Sequence, residues 1–288
     1  SLRWRTLLSD LRYLFEIFCV GSLNFFGREK KNMKRYSGGR YFFSPYPQHL
    51  NTKRIKGEDI KYGEFVKEED KYAVSILMDG LHQHVGLREF LKLRRDLTAD
   101  RYQLIDRFVR ATDLMSGIYW VLRGQWYLIA NRNRRYSFRN INVSEYVQKE
   151  LFISFSRIAR LMVMEKSLRR FFSHQAVDEF VFYLHEYPLG RLISYVLGTM
   201  SRKTLRIGFQ HGPASWRKLV YFLAQGEGGV EPPFFHHTPI PDRVLAEDSV
   251  SAGIYEHSGY QDVRIMDRIY RLDYLIDLKP KKDPARIL

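Results

Sequence analysis

The chain has 288 residues, of which 45% are apolar, so it is long and apolar enough to bury a large core. Its single cysteine, Cys19, excludes an intrachain disulfide framework and a cysteine-based metal site, and it favours a reducing compartment, which predicts a cytoplasmic protein. No run of about 18 uncharged apolar residues occurs, so no bilayer-spanning segment is predicted.

The charge balance is strongly basic, with 47 Lys and Arg against 32 Asp and Glu and a formal net charge of +15. Such a surface attracts nucleic acid, anionic lipid headgroups or phosphorylated saccharides. The positive residues are spread over clusters at 28–40, 88–95 and 132–139, without a zinc-finger, RNP or basic-zipper pattern beside them. This distribution predicts no specific nucleic-acid partner and favours lipids and saccharides.

Residues 1–36 are predicted to be an amphipathic helical segment, because apolar residues recur at helical spacing from Leu2 to Phe26. One alternative is a helix that packs on the body of the protein. The other is a helix that lies in a membrane interface, which the mixture of Trp4 with arginines and the basic run at 28–31 would allow. The second alternative predicts an anionic membrane surface as a partner and a peripheral location on the inner face of the membrane.

Residues 37–278 are predicted to form one Rossmann-like domain. Its first strands are expected at 40–44 and 71–78, on either side of a charged surface excursion at 51–70. His82 and His84 follow the second strand, and we interpret them as solvated loop histidines because no further ligand stands at a known metal spacing.

A helical lobe is predicted for about 87–170, because apolar residues recur there at intervals of three and four. Its most apolar stretch, 120–129, is expected to be core between helices and only secondarily a groove for a lipid or a partner. The lobe would be a large helical insertion into the sheet.

Strands and helices alternate in the later part of the chain, which predicts an α/β fold with a parallel sheet. The strands are expected at 177–184, 205–209, 243–247 and 263–266. The helices are expected at 189–200, at 249–257 and directly after the strand that ends near 209.

Polar residues follow three of these strands. They are His185 and Glu186, then Gln210, His211 and Gly212, and then Glu247 and Asp248. Because the carboxyl ends of parallel strands meet at one edge of a sheet, where open α/β sheets bind ligands, we expect these residues to surround a cleft.

A family resemblance rests on short motifs in the last 112 residues, from 177 to 288. In chain order they are the strand that ends in Gln210-His211-Gly212, Pro241 to Asp248, Gly259-Tyr260, Val263 to Met266 and Tyr270-Arg271-Leu272. This series resembles the amino-terminal, acceptor-side domain of GT-B fold glycosyltransferases of bacterial surface-polysaccharide biosynthesis. Residues 1–176 match nothing beyond a general likeness to surface-carbohydrate proteins.

The resemblance implies that this domain binds a glycan or glycolipid acceptor and supplies a general base. His211 takes the family's His-Gly position, and an imidazole with a pKa near neutrality can accept the proton of an acceptor hydroxyl. His185 and Glu186 are its alternatives or partners. The residues implied for substrate binding are Gln210, Gly212, Arg217, Lys218, Glu247 and Asp248.

Several alternatives stay open for these residues. His211 could instead cap the next helix or bond a carbonyl. Arg217 and Lys218 could meet phosphates at the start of that helix or be surface charges. Glu247 and Asp248 could hold the tautomer of His211 or cap the helix that begins near Ser249.

The residues 279–288 read as a charged linker and the start of another strand. We therefore expect a carboxyl-terminal domain that binds a nucleotide-sugar donor, no cofactor site in these 288 residues, and no activity of the fragment alone. No metal is expected either, since no Asp-x-Asp motif occurs. Two other functions remain: a sugar-nucleotide epimerase or hydrolase, with more carboxylates near His211, and a noncatalytic basic domain that binds a membrane or polyanion.

Overall fold

A computed structural model describes residues 2–26, 38–45, 50, 59–75, 87–97, 101–234 and 237–275. Several sequence-based expectations lie outside these residues. They are the linker and strand start at 279–288, the loop histidines His82 and His84, and most of the basic cluster at 28–40.

The fold contains six α-helices and eleven short or long strands among the described residues. The helices are α1 (Leu2–Phe26), α2 (Leu87–Asp96), α3 (Asp113–Ala130), α4 (Ser144–His174), α5 (Pro188–Gly198) and α6 (Ser249–His257). The strands are β1 (Arg40–Ser44), β2 (Lys71–Val74), β3 (Tyr102–Leu104), β4 (Ser137–Phe138), β5 (Ile141–Asn142), β6 (Glu179–Phe182), β7 (Leu205–Phe209), β8 (Gly228–Gly229), β9 (Thr238–Pro239), β10 (Arg243–Ala246) and β11 (Val263–Ile265).

Seven of the strands form one parallel sheet in the order β11-β10-β7-β6-β1-β2-β3. The first strand, β1, lies inside the sheet. The next two strands, β2 and β3, extend the sheet to one edge, and the chain then crosses back to place β6 on the other side of β1. The direction of growth therefore reverses between β1 and β6, which is the topological switch point of a Rossmann-like sheet. The expectation of an α/β fold with a Rossmann-like parallel sheet is confirmed.

The central strands are almost continuously apolar, as expected for parallel strands that helices cover on both faces. Tyr41, Phe42 and Phe43 of β1 are fully buried, as are Phe180 and Phe182 of β6. Aromatic rings also join the sheet to α4, where Phe172 meets the ring of Phe180 edge-on at 5.0 Å. These aromatic rings form much of the large apolar core that the composition predicts.

The stretch at 87–170 is mostly helical, as expected, and it also contains the edge strand β3, whose three residues are too few to show a period. Two sequence-based expectations about the elements are wrong. The segment at 59–70 is not a surface excursion, because Asp59, Tyr62 and Val66 are buried. No α-helix follows β7. The hydroxyl of Ser215 accepts a hydrogen bond from the N–H of Arg217, and its carbonyl accepts one from the N–H of Lys218, so the chain forms a turn there. Only a short 3-10 helix comes after this turn.

The helical lobe is formed by α3 and α4, which pack side by side and carry the chain from β3 to β6, with the β4–β5 hairpin between them. Helix α1 packs against α3, where a Cβ on Gly117 would lie 2.7 Å from Leu14 Cδ2. Asn24 near the end of α1 donates hydrogen bonds to the carbonyls of Asp106 and Val109, both at 2.8 Å. Packing of α1 on the body, one of the two alternatives for this helix, is therefore observed.

The apolar stretch at 120–129 is only half core. Val121 and Gly124 are buried, whereas Leu122, Trp126 and Ile129 are exposed. The expectation that this stretch lies between helices is thus wrong for its outer face. No helix among the described residues has the length and apolar character needed to cross a bilayer.

Candidate functional site

A strained turn presents His185 and Glu186 after β6. Leu184 has a φ of +61°, a conformation that costs a residue with a branched side chain roughly 1–3 kcal/mol. The N–H of Tyr187 donates to the carbonyl of Leu184 at 2.9 Å, and Pro188 then begins α5. A Cβ on Gly190 would lie 2.3 Å from His185 Cα, so only glycine lets α5 approach this turn so closely.

The imidazole of His185 is fully buried behind the sheet edge. A Cβ on Gly208 of β7 would lie 2.8 Å from its Cγ, and the rings of Tyr255 and Tyr260 lie 5.3 and 5.9 Å away. Neither ring nitrogen has a hydrogen-bond partner among the described residues. Burial lowers the pKa of His185 to about 3, and the charge of Arg191 acts in the same direction, so the ring is neutral at pH 7.

Glu186 lies beside this imidazole, with its Oε1 3.7 Å from His185 Nε2. The same oxygen accepts a hydrogen bond from the Tyr255 hydroxyl at 2.8 Å. Burial, and then the charge of Glu186, raise the pKa of Tyr255, so its hydroxyl keeps its proton and continues to donate. The second oxygen, Oε2, is buried and has no partner within the described part of the chain.

His211 stands at the end of β7, with its ring centroid 5.5 Å from that of Tyr183. Its Nδ1 is buried and, within the described ranges, without a partner. Burial lowers its pKa to about 4, while the negative charge of Glu186 opposes this shift and the charge of Lys61 adds to it. The ring is therefore neutral at pH 7, and its pKa lies well below the near-neutral value expected for it from the sequence, because burial outweighs the charge of Glu186.

Gln210 links the neighbouring strand ends. Its amide nitrogen donates to the carbonyl of Gly212 at 2.8 Å and to Ser251 Oγ at 3.0 Å, and its Oε1 accepts from the N–H of Glu247 at 2.8 Å. The side chain is fully buried. A Cβ on Gly212 would meet nothing within 4 Å, so there is open space beside this residue. Gln210 fixes the backbone around that space, and its substrate-binding role stays a prediction.

The two carboxylates after β10, those of Glu247 and Asp248, are both bonded to other groups of the protein. Glu247 forms a two-pronged ion pair with Arg271, with Oε1 2.5 Å from Nε and Oε2 3.0 Å from Nη2. Asp248 accepts a hydrogen bond from the N–H of Ser251 at 2.7 Å and caps α6. Of the two alternatives for Asp248, the helix cap is observed, and Glu247 is held by Arg271.

Arg217 and Lys218 are exposed. The helix start that was expected to assist them with phosphates does not exist, because the chain turns at Ser215. Lys218 Nζ donates to the Tyr221 hydroxyl at 3.1 Å and lies 4.9 Å from the centre of its ring. No helix N-terminus therefore supports phosphate binding by Arg217 and Lys218, and their roles in substrate binding stay predictions.

Sequence reasoning missed a polar group at the switch point itself. The hydroxyl of Tyr62 lies 2.7 Å from the carbonyl oxygen of Phe43 in β1 and 3.3 Å from that of Val181 in β6. Asp59, which is fully buried, accepts hydrogen bonds from Ser44 Oγ at 2.6 Å and from the Tyr183 hydroxyl at 3.1 Å. The chain's own side chains thus fill the crevice at which a Rossmann-like sheet usually binds its ligand.

The last described residues cover the same edge of the sheet. The rings of Phe65 and Tyr270 meet at 5.2 Å, and the N–H of Glu64 donates to Asp273 Oδ2 at 2.9 Å. Together with the Arg271–Glu247 pair, these contacts hold residues 270–275 against the strand ends. The candidate site is consequently shifted from the switch point toward β6, β7 and β10.

Among the described residues, no group of three or more His, Cys, Asp and Glu side chains is arranged to hold a metal ion. Comparisons with protein-family models, with curated proteins and with solved structures give no match.

Proposed function

We propose that this chain is the acceptor-binding part of a glycosyltransferase of bacterial surface-polysaccharide biosynthesis. One observation supports a polar ligand at its strand ends. Four buried polar atoms without partners in the described structure are gathered there: both ring nitrogens of His185, Oε2 of Glu186 and Nδ1 of His211. Folded proteins rarely leave buried polar atoms unpaired, so their concentration at these strand ends supports a functional site there.

The neutral state of His211 allows it to remove a proton from a sugar hydroxyl, and burial makes it a weaker base than an imidazole in water. His211 is neutral at pH 7, so its imidazole can accept the proton as the hydroxyl oxygen forms a bond to the anomeric carbon. The bond from that carbon to the donor's phosphate oxygen breaks, and the nucleotide leaves with the electron pair. The carboxylate of Glu186 stabilises the imidazolium, because its charge opposes the effect of burial on the pKa of His211.

The donor would be a nucleotide sugar held by a further domain of the same protein, as the resemblance implies. An epimerase or hydrolase would need additional free carboxylates near His211. Glu247 pairs with Arg271 and Asp248 caps α6, which leaves Glu186 as the available carboxylate of the three. The arrangement therefore favours a transferase over those enzymes.

Acceptor binding can be measured with a panel of immobilised bacterial surface glycans and glycolipid headgroups. We expect the full chain to bind one class of glycan, and Glu186→Gln to weaken this binding about tenfold or more, because it removes the buried charge that accepts from Tyr255 and acts on His211. His257→Gln alters an exposed histidine of α6 and serves as the control. Binding that Glu186→Gln leaves unchanged would contradict the assignment of the site.

A further inference from the structure

Helix α3 presents an apolar stripe to solvent. Its outer side carries five large apolar side chains at alternating spacings of four and three residues, and all are at least half exposed: Met115, Tyr119, Leu122, Trp126 and Ile129. The stripe covers four helical turns, about 21 Å at 1.5 Å per residue. The buried residues of the same helix, Gly117, Val121 and Gly124, lie on the opposite side against α1 and α4.

The β4–β5 hairpin, which follows α3 in the chain, also exposes apolar side chains. Phe138 and Ile141 are paired across the hairpin and are 63% and 65% exposed. The turn between them is formed by Arg139 and Asn140 with φ values of +48° and +65°, and the Arg139 guanidinium lies 5.4 Å from the centre of the Phe138 ring. The tip of the hairpin therefore combines an exposed apolar pair with a cation, in a backbone conformation that strains the arginine.

Helix α1, which packs on α3, carries a second stripe of the same kind. Its side turned away from the body exposes apolar residues at a similar spacing: Leu8, Leu11, Phe15, Phe18 and Phe25. Monomeric soluble proteins rarely expose apolar surface on two neighbouring helices in this way, so the surface indicates an interaction.

The charges around the α3 stripe identify its partner. From residue 123 to residue 150, six Arg and Lys side chains are exposed and only two Glu side chains are. Two of the cations, Arg132 and Lys149, also line a groove of about 280 Å³ between the end of α3 and the start of α4. A second copy of the chain would bring the same positive surfaces together. An anionic surface is attracted to them.

We propose that α3 and the β4–β5 hairpin form a membrane-docking face that binds the surface of an anionic lipid bilayer. An interfacial helix typically buries large apolar and aromatic side chains at the level of the headgroups, with Lys and Arg beside them on the lipid phosphates. Trp126, Tyr119 and Phe138 supply the aromatic rings, and the arginines that flank them supply the positive charge. This inference is independent of the proposed glycosyl transfer.

The test is sedimentation of the full chain with two kinds of vesicle. One contains phosphatidylcholine alone, and the other contains in addition about 30% phosphatidylglycerol, which gives the membrane a negative surface potential. We expect binding to the anionic vesicles at low salt and a clear loss at high salt. Leu122→Ser/Trp126→Ser should weaken binding about tenfold or more, because it removes two large apolar side chains from the interface. Arg134→Glu/Arg135→Glu should abolish the preference for anionic vesicles.

Two control variants are matched to these changes. Trp216→Ser alters a tryptophan that is 54% exposed after β7, and Arg202→Glu/Lys203→Glu reverses two exposed cations before β7. If the controls reduce vesicle binding as much as the test variants do, or if no binding occurs at low salt, the proposal is wrong. A dimer in light scattering that Leu122→Ser/Trp126→Ser dissociates, with no vesicle binding, would instead assign this face to a second copy. Circular dichroism should show all variants folded, since the altered side chains are exposed.

Discussion

The buried imidazole of His185 makes the stability of the fold dependent on pH. Its pKa is lowered in the folded state to about 3, against about 6.5 in the unfolded chain, so below pH 6.5 the unfolded chain binds more protons. This histidine therefore contributes stability above pH 6.5 that is lost as the pH falls toward 3. At pH 5 the loss is about 1.5 pH units times 1.36 kcal/mol, or about 2 kcal/mol.

The comparison of the wild type with His185→Gln isolates this contribution. We expect urea unfolding to show a wild-type stability, relative to the variant, that is about 2 kcal/mol lower at pH 5 than at pH 7.5. Burial raises the pKa of Asp10 to about 6, against the opposing charge of Arg160, so Asp10 contributes stability that is lost as the pH rises. This contribution is the same in the wild type and in His185→Gln and cancels in the comparison. The exposed His257→Gln should give no such difference.

A difference between wild type and His185→Gln that does not change with pH would refute the burial of a neutral imidazole at this site. Should His185→Gln fail to fold, His211→Gln provides the same comparison. Burial lowers the pKa of His211 to about 4, so its contribution at pH 5 is also about 2 kcal/mol and has the same sign.

Three further predictions concern packing and can be checked by urea unfolding at pH 7.5. Gly208→Ala should cost about 1–3 kcal/mol, because its Cβ would lie 2.8 Å from the His185 ring, whereas Gly253→Ala in α6, where a Cβ meets nothing within 4 Å, should stabilise by about 0.5–1 kcal/mol. Tyr62→Phe should cost about 1 kcal/mol through the lost hydrogen bond at the switch point. Asp113→Asn should cost about 1–3 kcal/mol, because the half-buried Arg170 loses its charged partner and keeps only the carbonyl of Phe108. Equal stabilities of Gly208→Ala and Gly253→Ala, or a neutral effect of either of the other changes, would contradict the packing described.

The sequence predicts the parts of the fold that have local signals. Strand β1 has the expected bounds because Gly38-Gly39 and Pro45 flank an apolar run, and α6 begins as expected because Asp248 caps it. The placement of His185, Glu186 and His211 at the ends of the neighbouring strands β6 and β7 follows from the rule that parallel strands end at one edge.

Other parts depend on contacts between distant residues and leave no local signal. Tyr62 stands in a charged stretch without a period, and only its position across β1 and β6 explains its burial. The pairing of Glu247 with Arg271 joins residues 24 positions apart. The outer face of α3 is as apolar as its inner face, so periodicity could not separate Trp126 from Val121.

The proton transfer proposed for His211 can be tested by the rate of sugar transfer from nucleotide-sugar donors to the glycan identified by binding, measured for the full-length protein and for His211→Ala. We expect His211→Ala to lower kcat about a hundredfold or more, the usual effect of losing general acid–base help, with a nearly unchanged Tm. A His211→Ala enzyme with a normal kcat, or a full-length protein that transfers no sugar from any nucleotide donor, would contradict it.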